Sequence, residues 1–359
     1  MPSTTSPATA SAPSKARKSA AWQAVAAVIA LALPAALGAA PVQAETDIKF
    51  TLDWKYQGPT AAFLVAADKG FYAEEGLDVT IDSGNGSAGA VTRVASGAYQ
   101  MGFADINALV DFNAQNPGQS VKAVMMAYDA PPFSLFTLKK NNIESAEDLV
   151  GRKLGAPVFD ASYKLFPAFA HETGIDEAKV ERVNMDPALR ETMLVQGQVD
   201  FISGHFFSSM LDLKSKGVKE EDITYFLYAD YGMDFYGNAV IASGGFIEEN
   251  PDAVKGFLRA TLRGWKDIIA DPEGAIEIVA KFDPLIEKSL ELERLKLALD
   301  VNVLTPHVKE NGIGDVEEAR LKSAIAQLAL AYGLTSTPEP AAIWTSEFLP
   351  PAEERMLSK

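Results

Sequence analysis

A helix, a glycine stop and a short strand follow one another twice in this chain, one hundred positions apart, and that repetition constrains the fold more than any other feature. In the first copy the turn Gly84-Asn85-Gly86 opens a helix whose small apolar face is Ala88, Val91, Val94, Ala95 and Ala98, the spacing of a helix packed on one side. Gly97 ends it, Met101 to Ala104 reads as a buried strand, and the chain leaves that strand at Asp105-Ile106-Asn107. In the second copy Leu194 to Gly204 lines up with Val94 to Ala104, with Gly197 in the place of Gly97. Such units occur throughout α/β proteins, so one alone says little, whereas a pair suits a chain with two similar lobes. The loops after the strands would then face one another across a cleft, at the sheet edge where α/β folds hold small molecules.

Composition sets the amino terminus apart. Residues 1 to 44 carry Lys15, Arg17 and Lys18, no acidic residue, and an apolar stretch from Ala20 to Ala40 that runs out in Val42-Gln43-Ala44. A basic lead, an apolar segment and small residues before Glu45 describe a cleaved secretory leader, the alternative being a retained membrane anchor. Alanine richness, Gln23 and Pro34 favour the leader. Its removal takes three positive charges from a formal net charge of −16, leaving −19. So acidic a chain, with no basic stripe, repels phosphate backbones and anionic lipid, which argues against nucleic acid as a partner. The absence of cysteine excludes disulfides, thiolate metal sites and cysteine nucleophiles together. A chain of 359 residues, 48% of them hydrophobic, buries a sufficient core without such staples.

Past the leader, Ile48, Phe50 and Leu52 alternate with Lys49 and Thr51 as a strand does, and the strand stops at Asp53-Trp54-Lys55-Tyr56-Gln57-Gly58. Pro59 starts a helix that Gly70 closes, and Leu77, Val79 and Ile81 form the strand that leads to Gly84. This alternation predicts a parallel, doubly wound sheet. Val121 to Tyr128 is a further strand, followed by Asp129-Ala130-Pro131-Pro132 and the extended run Phe133 to Leu138. A second α/β series begins near Ala146, with strands at Lys153 to Val158, Val180 to Met185, Phe201 to Gly204 and Thr224 to Tyr228. Asp160 or Ser162 caps one of its helices and Asp186-Pro187 starts another. Asn238 to Ser243 returns the chain. From Asn250-Pro251 the pattern turns helical, with Phe257, Leu258, Thr261, Leu262 and Trp265 on one face and Leu290, Leu297 and Leu304 recurring along a later helix. Pro338, Pro340, Pro350 and Pro351 mark the tail as an irregular strap.

Several stretches resemble the extracytoplasmic solute-binding proteins of ABC importers, in the branch that includes nitrate, taurine, alkanesulfonate and thiamine-precursor binding proteins, the NMT1/THI5-like group. They are Val65-Ala66-Ala67-Asp68-Lys69-Gly70-Phe71-Tyr72-Ala73-Glu74-Glu75-Gly76-Leu77-Asp78-Val79, then Val94-Ala95-Ser96-Gly97, Gly102-Phe103-Ala104-Asp105 and Asp148-Leu149-Val150-Gly151-Arg152-Lys153-Leu154-Gly155. The resemblance implies a two-lobed α/β fold of the periplasmic-binding-protein type II kind that shuts on its solute and presents it to a membrane permease. With the chain order it gives residues 1–44 as leader, 45–134 plus 239–359 as one lobe and 135–238 as the other. The crossovers Phe133 to Leu138 and Asn238 to Ala242 are read as two adjacent strands forming the hinge. The group also includes a eukaryotic pyrimidine synthase with a histidine- and cysteine-rich motif. That motif is absent here, so no enzymatic activity, catalytic residue or cofactor is carried over.

The candidate solute contacts fall just after predicted strands. Trp54 and Tyr56 follow the first strand, where the group often places aromatic and polar contacts; Trp54 could also simply pack between elements. Asp53 could receive an amine or a ring N–H, or cap the Pro59 helix. Gly86, Ser87 and Ala88 offer backbone N–H groups to an anion, or form a plain capping turn. Asp105 and Asn107 sit in the exit loop of the first repeat. In the second lobe Phe159, Ser162, Tyr163, Asp186, His205 and Phe206 would form an aromatic wall opposite Trp54. Tyr128, Tyr228, Asp230 and Tyr231 lie beside the crossovers as hinge or solute residues. His171, His205 and His307 are too scattered for a metal site. The reading is a monomeric periplasmic receptor for a small planar, ring-containing solute such as a pyrimidine-like vitamin precursor or an aromatic acid. A taurine-, sulfonate- or nitrate-type anion is the second choice, disfavoured because Arg190 lies inside the Asp186 helix and not at a strand exit. An exported hydrolase or lyase using the same cleft, and a receptor feeding a sensor kinase, are the remaining alternatives.

Overall fold

The structure, a computed structural model, describes residues 45–334 and 336–357. The expected leader, residues 1–44, lies outside them. Ten strands follow in chain order: β1 (Thr46–Thr51), β2 (Leu77–Asp82), β3 (Met101–Asp105), β4 (Val121–Met126), β5 (Phe133–Leu138), β6 (Lys153–Ala156), β7 (Glu181–Asn184), β8 (Phe201–His205), β9 (Ile223–Leu227) and β10 (Asn238–Ser243). They form two five-stranded sheets, ordered β2-β1-β3-β10-β4 and β7-β6-β8-β5-β9. The orders correspond position by position, with β3 and β8 of the repeated units third in each. Gly97 and Gly197, at φ 76° and 72°, end the helices before them in the left-handed conformation that glycine adopts without a Cβ penalty.

Neither sheet is wholly parallel, which corrects the doubly wound expectation. In the first, β2, β1 and β3 are parallel while β10 is antiparallel to β3 and β4. In the second, β7, β6 and β8 are parallel while β5 is antiparallel to β8 and β9. The parallel rule follows from helical crossovers between strands of one sheet. β5 and β10 are reached from the other sheet, so no such crossover fixes their direction.

The same fact relocates the crossings. β5 and β10 lie in different sheets, and the chain changes sheets just before each, through 127–132 and 228–237. These two segments are held side by side. The amides of Ala127 and Tyr128 both donate to the Asn238 carbonyl at 3.0 Å, and Gly237 N–H donates to the Tyr128 carbonyl at 2.9 Å.

The carboxy-terminal helices divide: Pro251–Ala270 packs beside the first sheet, whereas Glu318–Tyr332 also lies against helix Phe166–Thr173, which follows β6 of the second. Helix Pro251–Ala270 buries Phe257, Leu258, Thr261, Leu262 and Trp265, the face its periodicity predicts, and lies against helix Ala61–Asp68. Helix Lys288–Ala298 behaves differently: Leu290 and Leu297 are only partly buried, while Glu291, Arg294, Leu295 and Ala298 turn inward. Arg294 donates to the carbonyls of Phe207 (3.0 Å) and Ser208 (2.9 Å) and to Asp212 (2.7 Å), and also pairs with Glu291 at 3.1 Å. Glu291 in turn accepts the Gly58 amide at 2.8 Å. One helix thus grips the loop after β1 and the helix after β8, on opposite sides of the cleft. Fully hydrogen-bonded, these buried charges are tolerated; either one alone would be strongly destabilising. The tail is a strap, tied by Thr345 N–H to the Ala123 carbonyl and by the Arg355 guanidinium to the carbonyls of Ile313 and Pro350.

The helix pair under the first sheet depends on one close approach. A Cβ on Gly264 would lie 2.1 Å from the Ala62 carbonyl oxygen, whereas one on Gly118 would meet nothing within 4 Å. In urea unfolding, Gly264→Ala should lower stability by about 1–3 kcal/mol, the range for overpacking a core, and Gly118→Ala should change it little. Equal stability of the two variants would contradict this packing.

Candidate functional site

The end of β1, the turn before helix Ser87–Ala95 and the start of β10 converge on Asp53. Its Oδ2 accepts Asn238 Nδ2 at 2.7 Å and Ser87 Oγ at 3.2 Å, and its carbonyl accepts the Gly86 amide at 2.6 Å. The Trp54 carbonyl accepts the Gly84 amide at 2.8 Å. Asp53 therefore does not cap the Pro59 helix; it lines the cleft. Among the described residues no cation pairs with it. Burial pushes its carboxyl up from 3.8 to about 6, against the hydrogen bonds from Asn238 and Ser87 and with Asp160 across the cleft adding to the rise.

The opposite wall is built on Arg190. Asp160 follows β6, caps helix Ala161–Lys164 through the Tyr163 amide (2.8 Å), accepts Ser203 Oγ (3.0 Å) and pairs with Arg190 at 3.3 Å. Arg190 Nε donates to Glu191 at 2.8 Å, and Glu191 accepts Ser209 Oγ at 3.1 Å. Arg190 and Glu191 are 1% and 2% exposed, so this is an interior ion cluster. The Arg190 guanidinium lies 5.0 Å from the Trp54 ring centroid, within cation–π range, and the Lys55 ammonium is 5.7 Å from the same ring. Trp54 Nε1 is buried and has no acceptor among the described residues.

His205 closes the floor among Tyr128, Phe133 and Phe207, at centroid distances of 6.5, 5.8 and 5.6 Å. Burial, and then the Arg190 charge, pull its imidazole down to about 3, so it is neutral. Ser208 Oγ donates to Gln57 Oε1 at 3.1 Å, and Ala88 N–H donates to the Phe159 carbonyl at 3.2 Å, both across the cleft. A Cβ on Gly86, at φ 142°, would fall 2.2 Å from that carbonyl, so only glycine permits the approach. The cavity lined by these residues holds only about 30 Å³ of free space. That is room for about one water, so this is a shut cleft that must open for a solute.

Of the residues the sequence singles out, Asp53, Trp54, Gly86, Ser87, Tyr128 and His205 line this cavity. Ala88 touches the far wall with an amide already engaged, which removes one donor from the proposed anion cradle. The others lie elsewhere. Tyr56 donates to the Ile81 carbonyl and packs on Phe282. Asp105, buried and raised to about 7, caps helix Ile106–Gln115 through the amides of Asn107 and Ala108, and Asn107 holds the Tyr236 carbonyl. Phe159 contributes its carbonyl while its side chain is 42% exposed. Ser162 is buried with its carbonyl bound by Tyr228, Tyr163 faces Arg182, and Asp186 is an exposed cap. Tyr228 and Tyr231 pack on Phe169, and Asp230 is exposed.

Phe206 departs most clearly. It stacks on Phe136 at 6.1 Å and meets Tyr225 at 5.1 Å, away from the cleft, while Phe207 lines the cavity. The strand ends at His205 and a helix begins at Phe206, so the helical turn exchanges which of the two phenylalanines faces in. The expected aromatic wall opposite Trp54 is thus a guanidinium held by carboxylates. Arg190, expected inside the Asp186 helix and away from the solute, stands at the cleft because the Asp186 segment is a 3-10 turn, Pro187–Leu189, and the α-helix proper starts at Arg190. Gln57, Asp160 and Ser208 also line the cavity; Asp160 was legible as a cap but not as a wall residue.

Two similar mixed sheets closing loop to loop define a two-lobed α/β binding-protein fold. The periplasmic nitrate-binding protein NrtA of Synechocystis shares it, with a TM-score of 0.66 over 88% of this chain and 92% of that one at 12% identity, a likeness of fold alone. Residues 58–275 match the family model described as NMT1/THI5 like, and the chain belongs to that family. Among curated relatives, the riboflavin-binding protein RibY of Chloroflexus aurantiacus is 29% identical across 81% of this chain and 82% of its own. The formylaminopyrimidine-binding protein of Halalkalibacterium halodurans is 28% identical across 72% and 78%. A Legionella pneumophila relative, 26% identical across 68% and 77%, is named a 4-amino-5-hydroxymethyl-2-methylpyrimidine phosphate synthase. The family is thus mainly one of binding proteins.

A carboxyl raised by burial is held protonated by folding, so the folded state takes up protons between 3.8 and about 6 and gains stability as pH falls through that window. Asp53→Asn removes this dependence. In urea unfolding at a series of pH values, the variant's advantage over wild type should widen from pH 3.8 to about 6, by about 3 kcal/mol at most, and then level off. Asp105 acts in the same direction and His205, lowered, in the opposite one; both are present in the two proteins, so they cancel in the difference apart from the last and least part of the Asp105 rise, which the Asp53 charge itself adds. A flat difference would place Asp53 in contact with water.

Proposed function

We propose that the protein is an extracytoplasmic solute-binding receptor of an ABC importer, which closes on a planar heteroaromatic solute bearing N–H donors. The observation that carries this reading is the charge arrangement of the cleft. Asp53 is a buried carboxylate with no cation on it among the described residues, beside an indole, while the guanidinium opposite is already neutralised by Asp160 and Glu191. A ring entering between Trp54 and Arg190 as the cleft opens would stack on one and lie under the other, with its N–H groups on Asp53 and an acceptor for Trp54 Nε1. Riboflavin and formylaminopyrimidine, in the names of the two relatives, are rings of this kind. The closing bodies are residues 45–134 with 239–359, and 135–238, and the complex of receptor and solute is presented to a permease by a monomer exported by the leader at 1–44.

The anion reading has the fold likeness to NrtA in its favour, but the groups it needs, the Ala88 amide and Arg190, are engaged within the protein. The enzymatic reading has the synthase relative behind it. It would need a base beside a nucleophile, and among the described residues no hydrogen bond joins His205 to a serine.

Thermal-shift screening of 4-aminopyrimidines, flavins, aromatic carboxylates and alkanesulfonates, with product analysis on every hit, tests the proposal. An aminopyrimidine or flavin should raise the melting temperature by several degrees at saturating concentration, without conversion. Trp54→Ala should weaken that binding about tenfold, the loss of ring stacking. Stabilisation by sulfonates alone, or turnover of a hit, overturns the reading.

A further inference from the structure

We infer that Glu191, which does not line the cavity, sets the charge selectivity of the cleft by neutralising Arg190 from behind, so that anionic solutes are refused. The inference rests on the receptor reading above and names the property that narrows its substrate class. A buried guanidinium at a cleft wall is the side chain best suited to capture a carboxylate or sulfonate through paired N–H groups. Here it cannot do so freely. Its Nε is held by Glu191 at 2.8 Å and one terminal nitrogen by Asp160 at 3.3 Å, and all three side chains are buried.

The guanidinium is also fixed in place. A Cβ on Gly204 would lie 3.0 Å from the Arg190 guanidinium carbon and 2.3 Å from Ser209 Oγ, so the strand backbone, Ser209 and Arg190 are in close contact. Ser209 fixes Glu191 in turn, at 3.1 Å. The cleft wall and the layer directly behind it thus carry three buried carboxylates, Asp53 and Asp160 on the wall and Glu191 behind it, against one guanidinium. The remaining cation, Lys55, is partly exposed at the rim, where water and salt screen it.

Of the two partners of Arg190, Glu191 is the selective one. Asp160 also caps a helix and holds Ser203, so its position is needed whatever the solute. Among the described residues, the Glu191 side chain bonds only Arg190 and Ser209. Neutralising Glu191 leaves one carboxylate on a desolvated guanidinium, and an entering anion then completes the pairing.

The test is titration calorimetry of the full chain with 4-amino-2-methylpyrimidine and with benzenesulfonate, at neutral pH and at two salt concentrations, for wild type and Glu191→Gln. Wild type should bind benzenesulfonate at least about tenfold more weakly than the ring, and Glu191→Gln should bind it at least about tenfold more tightly than wild type does, with an affinity that falls as salt rises. A merely structural role for Glu191 predicts loss of binding and no gain of a new solute. Circular dichroism shows whether the variant folds; if it does not, Ser209→Ala, which releases Glu191 from its fixed position, serves as the second variant, with a smaller gain of the same sign. Wild-type binding of benzenesulfonate as tight as that of the ring, or a folded variant without the gain, overturns the inference. Failure of wild type to bind any ring while the variant gains the sulfonate would sink the receptor's proposed solute and leave the role of Glu191 standing.

Discussion

The site is organised around a carboxylate taken out of water. Asp53 stands at the end of β1, and its carboxylate accepts one hydrogen bond from Ser87, at the start of helix Ser87–Ala95, and one from Asn238 of β10. Those bonds lower its carboxyl pKa and burial raises it; burial wins, leaving the value at about 6. Two donors do not satisfy a carboxylate that can accept about four, so the group stays open to further N–H groups from the cleft side. Its neighbours fit the same logic: an indole with an unpartnered N–H, a neutral imidazole and a guanidinium already balanced by acids.

Closure brings these groups together, and it has its own machinery. The crossings 127–132 and 228–237 run paired through backbone hydrogen bonds, which leaves the two sheets few independent ways to move. Helix Lys288–Ala298 supplies a second connection, with Arg294 on the carbonyls of Phe207 and Ser208 and Glu291 on the Gly58 amide. Phe207 and Ser208 line the cavity and Gly58 adjoins Gln57 and Pro59, which do so as well. A change of cleft width therefore strains a buried, charge-assisted network whose bonds are among the stronger available to a protein.

Much of this architecture was legible because it is local. Alternation at Ile48, Phe50 and Leu52, the stops at Gly97 and Gly197, and the face Phe257, Leu258, Thr261, Leu262 and Trp265 all declare themselves within a few residues. So does the proximity of Asp53, Trp54, Gly86, Ser87 and Tyr128 to strand ends, which is why five of the six singled-out residues that line the cavity follow strands of the first sheet. Errors began where one residue of offset reverses a face. Phe206 and Phe207 differ by a single position at a strand-to-helix junction, and Arg190 changes meaning once the turn Pro187–Leu189 is separated from the helix after it. The leucines at 290 and 297 hid the opposite case, a helix whose inward face carries a buried ion pair because its partners are charges and carbonyls elsewhere in the chain.

By itself the sequence determined the elements, their alternation, the repeated helix-glycine-strand unit and the family, since periodicity, glycine stops and the quoted motifs act over short spans of chain. Tertiary structure alone decided that β5 and β10 cross into their sheets antiparallel, that Glu291 and Arg294 bridge the cleft, and that the wall facing Trp54 is Arg190 clamped by Asp160 and Glu191. The physical reason is that these pairings join residues far apart in the chain through burial and charge, and neither quantity exists until the two sheets have closed on one another.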